Sequence, residues 1–99
     1  MPRDHRYPRL MSSSVELGSL GGDAAKPFFH AKADGIAFMI ELDSSALQKL
    51  AGARVGSDWR DAVEAQRGKI RAAAEYLIEG GFLTREAPPR LFLTAMDIV

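Results

Sequence analysis

The 99-residue chain contains no cysteine, which excludes disulfides, thiolate metal sites, iron–sulfur ligation and cysteine nucleophiles. It also has no excess charge. Thirteen basic and thirteen acidic residues cancel, so no overall field gathers nucleic acid or anionic membrane, and any such binding must come from local clustering. No apolar run approaches the roughly 20 residues of a membrane-spanning helix, and the opening stretch lacks the continuous apolar core of a secretory signal. The expectation is a cytoplasmic protein with no membrane partner. The machinery of catalysis is missing as well: no glycine-rich phosphate loop, no nucleophile with a base at a recognisable spacing, and no carboxylate pair in a cleft. Asp34 reads as a turn residue, Asp43 and Asp58 as helix caps, and the Gly21-Gly22 and Gly80-Gly81 pairs as linker and helix-stop glycines. We therefore expect no catalytic residue, no metal, no cofactor and no enzymatic activity.

What is present fits one small domain. With 46% of residues hydrophobic and 26% charged, there is material for a single core and no room for a second. Met1 to Lys26, with its Met-Pro and Tyr-Pro pairs, three consecutive serines and scattered apolar residues, reads as a disordered or loosely ordered N-terminal tail. Arg3, Arg6 and Arg9 flank Tyr7 there, and a solvated terminus is the preferred reading of that basic arm. Met11 before the serines resembles an alternative start. Residues 27–99 then form the domain.

Its first part is legible to the register. Pro27 to Leu42 reads PFFHAKADGIAFMIEL, two apolar runs around Asp34-Gly35, the pair that a type I′ hairpin turn favours because both positions need positive φ. A two-residue loop places Ala33 opposite Ile36, Ala31 opposite Phe38, Phe29 opposite Ile40 and Pro27 near Leu42, all on one apolar face. The other face carries Lys32 with Ala37, His30 with Met39, and Phe28 with Glu41. His30 is the only histidine outside the tail. Its expected neighbours, Met39, Phe28 and Lys32, offer neither metal ligands nor an acid–base partner.

Asp43-Ser44-Ser45 then supplies helix caps for a short helix with Leu47 and Leu50 inward and Gly52 as its stop. From Ser57 to Gly80 the chain has the spacing of a long amphipathic helix. Trp59, Ala62, Val63, Gln66, Ile70, Ala73, Ala74, Leu77 and Ile78 form its stripe, and Gly80-Gly81 its left-handed stop. Gly68 inside it predicts a close approach of another backbone. The end of the chain offers two short β-type runs, Phe82–Arg85 and Arg90–Ala95, around Pro88-Pro89. This predicts a C-terminal hairpin, or at least a strand joining the first sheet. The fold class expected is α+β.

The order of these signals resembles a small proteobacterial family, the domain of unknown function 1488 family. Three segments carry the likeness, FHAKADGIAFMIELDSSALQKL, DAVEAQRGKIRAAAEYLIEGG and LFLTAMDIV, and the resemblance extends over about residues 28 to 99. The resemblance implies an α+β protein of the bacterial cytoplasm and brings no activity or catalytic residue with it. Phe38 and Val63 depart from the family's usual residues.

Two functional readings follow. The first is a non-enzymatic interaction module that self-associates as a homo-oligomer or binds a protein partner, using an apolar surface at Phe28, Met39 and Phe92. The alternative is a nucleic-acid-binding protein that uses the long helix and a wing-like C-terminal hairpin, with Arg60, Arg67, Lys69, Arg71, Arg85 and Arg90 as contacts.

Overall fold

The structure is a computed structural model and describes residues 14–54 and 58–98. It is an α+β fold in two layers. Four strands, β1 (Val15–Gly21), β2 (Phe28–Ala33), β3 (Ile36–Leu42) and β4 (Arg90–Leu93), form one sheet in the order β1-β2-β3-β4. Three helices, α1 (Ser44–Ala51), α2 (Trp59–Glu64) and α3 (Arg67–Glu79), pack on one face of it. Short 3₁₀ turns follow α1 at Gly52–Arg54 and β4 at Ala95–Asp97.

The β2–β3 hairpin has the expected register pair for pair, from Ala33 opposite Ile36 to Phe28 opposite Glu41. Both turn residues take positive φ, Asp34 at 54° and Gly35 at 83°. One face of the hairpin is core: Phe29, Ala31, Ala33, Phe38, Ile40 and Leu42 are all buried. Asp43 caps α1 by accepting a hydrogen bond from the Ala46 N–H at 2.8 Å. After α3, Gly81 at φ 83° ends the helix, with the Phe82 N–H donating to Leu77 O and the Gly81 N–H to Ile78 O, both at 3.0 Å. That pair of bonds is a Schellman motif. The last residues return to the core, where Ile98 is buried and Lys49 Nζ holds the carbonyls of Ala95 and Ile98.

Four expectations need correction. First, residues 15–26 are not a loose tail. Val15, Leu17 and Leu20 lie on the core side of an added edge strand, antiparallel to β2. A bulge hides them from a period-2 reading, because Gly18 and Ser19 together oppose His30 and leave apolar residues three apart on one face. The arginine arm and Met11 lie outside the described residues. Second, the helix expected from Ser57 to Gly80 is two helices, divided by a turn at Ala65–Gln66. The Gln66 N–H reaches back only to Val63 O, at 2.9 Å, and Gln66 then starts α3. The apolar stripe keeps its phase across the turn, so periodicity alone shows no break. Ser57 lies outside the described residues, and Asp58 occupies the N-cap position of α2 without a side-chain bond. Third, Gly68 faces open space, not a neighbouring backbone. Fourth, Phe82–Arg85 forms no strand. Of the hairpin or single joining strand expected, the structure has the strand: β4, parallel to β3, with Thr84 linked to Arg90 by two bonds.

Packing outranks surface charge in this core. Burying a side chain such as Phe29, Ile70 or Leu91 contributes about 1.5–3 kcal/mol. An exposed pair such as Arg90–Glu86, at 3.5 Å, contributes roughly 0–1 kcal/mol.

Candidate interaction surface

Because the side chains of a strand alternate, burying one face of the hairpin presents the other face outward. The register arranges this outer face in rows: Glu16, Lys32 and Ala37; then His30, Met39 and Arg90; then Phe28, Glu41 and Phe92. Among the described residues no element lies over it. Phe28 and Met39 are half-buried, and Phe92 is 52% exposed. The three residues expected to form an apolar surface therefore share one face, with Phe28 and Phe92 flanking Glu41.

The polar residues of that face are partly tied to one another. Arg90 Nη1 pairs with Glu41 Oε2 at 3.0 Å, and its Nε approaches Glu86 Oε1 at 3.5 Å without forming a hydrogen bond. The His30 ring meets Phe28 edge-on, with centroids 5.3 Å apart. Phe28 also lies over Gly21, where an added Cβ would come within 2.7 Å of its ring. Part of Phe28 is thus used in covering the strand's glycine, and Phe92 is the more available of the two phenylalanines. A shallow groove runs from this face to the start of α1, between Lys26, Phe28, Met39, Asp43 and Arg90. No three His, Asp or Glu side chains converge to hold a metal among the described residues.

The six basic residues considered for nucleic acid do not form one surface. Arg60 donates to the carbonyls of Leu20 and Gly22, with its guanidinium 4.8 Å from the Trp59 ring centroid. Arg67 donates to the carbonyls of Leu17 and Gly18 and pairs with Glu64 at 2.7 Å. Both are occupied in holding β1. Lys69 and Arg71 are exposed on α3, Arg85 sits in the loop before β4, and Arg90 belongs to the outer face of the sheet, opposite the helices. With Phe82–Arg85 not forming a strand, there is no wing.

Two features went unseen in the sequence. One is the role of Arg60, Arg67 and Glu75 along β1, which spans separations of 38 to 60 residues and leaves no local pattern. The other is a second apolar spot beside α3, where Tyr76 and Met96 are 74% and 91% exposed. Their neighbours Ala72 and Ala73 are small, and the 3.6-residue period places Tyr76 off the buried stripe without showing what lies beside it.

No family model, curated protein or solved structure matches the chain. None of the described helices is long and apolar enough to cross a membrane.

Proposed function

We propose that this chain is a non-enzymatic protein-interaction module that self-associates through the outer face of its sheet. The observation that carries the reading is the uncovered face itself, with Phe28, Met39 and Phe92 along it and nothing above them among the described residues. Burying such a patch on a second copy removes apolar area from water. Its charges are of both signs, Lys32, Arg90, Glu16 and Glu41, so a two-fold contact can set unlike charges against each other. A cytoplasmic setting and membership of the domain of unknown function 1488 family belong to the same proposal, supported by the lack of cysteine and by the order of the sequence motifs.

The test is the oligomeric state of the chain and of Phe92→Asp. A charge at the most exposed of the three positions abolishes association while leaving the unfolding temperature near that of the parent. Tyr76→Ser, on the other apolar spot, leaves association unchanged. If Tyr76→Ser dissociates the oligomer and Phe92→Asp does not, the sheet face is the wrong surface.

A further inference from the structure

A sheet ends in two edges, and each unpaired edge strand is a template for another strand. At one edge here, β4 is short, and the outward N–H and C=O of Arg90 are both taken by Thr84, at 2.9 and 3.0 Å. The other edge, β1, is longer and is treated differently. Five polar groups along it are bonded to side chains from two helices. Glu75 Oε2 accepts from the Val15 N–H at 3.0 Å. Arg67 Nη2 donates to Leu17 O at 2.8 Å and Gly18 O at 3.0 Å. Arg60 Nη1 donates to Leu20 O at 3.2 Å, and its Nη2 donates to Gly22 O.

These groups lie where the backbone of a fifth strand would lie. The two guanidinium groups are themselves steadied. Arg60 lies by the Trp59 ring, and Arg67 lies 5.3 Å from the Phe29 ring centroid and is paired with Glu64. Neither stacking ring belongs to β1. What the arginines supply is donors aimed at carbonyls that another strand would otherwise bond.

We propose that Arg60, Arg67 and Glu75 guard the β1 edge, and that the edge beneath them is a strand-addition site for β1 of a second copy, running antiparallel. Two identical strands related by a two-fold axis offer each other matching N–H and C=O groups. With the guard in place, assembly stops at whatever the sheet face forms. Without it, the edge contact adds a second interface, and a chain with two different self-complementary contacts assembles beyond the dimer, into a closed tetramer where the two axes meet and an open series where they do not. The guard stands independently of the sheet-face reading: if that face does not self-associate, removing the guard still converts monomers to edge-paired dimers.

The test compares the parent chain with Arg60→Ala/Arg67→Ala by sedimentation velocity and by amide hydrogen exchange. Lys69→Ala, which removes an exposed charge from α3 without touching β1 or any of the three guarding side chains, is the control. The double variant forms species larger than the parent at equal concentration, and the Leu17 N–H becomes about tenfold more protected as those species form. Lys69→Ala does neither. A folded double variant with the parent's sedimentation profile overturns the proposal, and so does association accompanied by faster exchange at Leu17, which marks simple loosening of β1. If the double variant fails to fold, Arg60→Ala alone decides, since it keeps Arg67 in place. It must show the same shift at a higher concentration, and its absence refutes the guard.

Discussion

Asp43 joins the end of β3 to the start of α1, and its carboxylate does two things there. It accepts from the Ser45 hydroxyl at 2.7 Å and from the Ala46 N–H at 2.8 Å. These bonds favour the charged form, the Ser45 hydroxyl most, and hold its pKa below the usual carboxylate range. A carboxylate whose folded pKa is depressed adds stability above its unfolded value of about 3.9, and that stability is lost as pH falls through the folded value. Asp43→Ala should cost about 1 kcal/mol at neutral pH. Thermal unfolding followed from pH 7 down to about pH 3 should show the variant and parent converging, whereas an unchanging gap would mean that the cap charge contributes nothing. Glycine gives the contrasting case at this scale. An alanine at Gly22, where φ is 79°, would bring its Cβ within 2.1 Å of Lys26 O, while Gly68 has open space around it. Gly22→Ala should therefore destabilise by more than about 1 kcal/mol, and Gly68→Ala should stabilise by about 0.4–1 kcal/mol. Denaturant midpoints check both, and a loss of stability at Gly68 would show that its backbone conformation needs glycine.

At the scale of elements, β1 is the instructive case. The β2–β3 hairpin was legible because Asp34-Gly35 fixes the turn and the turn fixes every pair, a chain of local causes. The Schellman stop at Gly81 and the cap at Asp43 were legible for the same reason. β1 was not, since Gly18 and Ser19 break its alternation and the bonds that hold it come from Arg60, Arg67 and Glu75, far along the chain. The turn at Gln66 escaped because a helix break that keeps phase leaves the apolar stripe intact. The outer face followed from the hairpin register, so Phe28 and Met39 were placed by local logic, whereas the parallel pairing that sets Phe92 beside Glu41 depends on the whole crossover from β3 to β4. A direct consequence is that residues 27–99, which read as a complete domain, should not fold alone. Without β1, the edge of β2 and the core side of Ala31 and Ala33 are open to water. A chain beginning at Pro27 should show no cooperative thermal transition; a sharp transition near the parent's would show that β1 is an accessory.

For the molecule as a whole, the distribution of covered and uncovered surface is the strongest functional statement. One face of the sheet is sealed by three helices, β1 is sealed along its edge by charged side chains, and β4 is shortened and tied to Thr84. The face with Phe28, Met39 and Phe92 is left uncovered among the described residues. A chain guarded at its edges and open on one face has that face left for a two-fold contact, which closes as a pair. Sedimentation equilibrium of the parent chain beside Phe92→Asp, at micromolar concentrations and neutral pH, tests this most directly. The account predicts a dimer for the parent and a folded monomer for the variant. A parent chain that remains monomeric throughout, or a variant that stays dimeric, would contradict it.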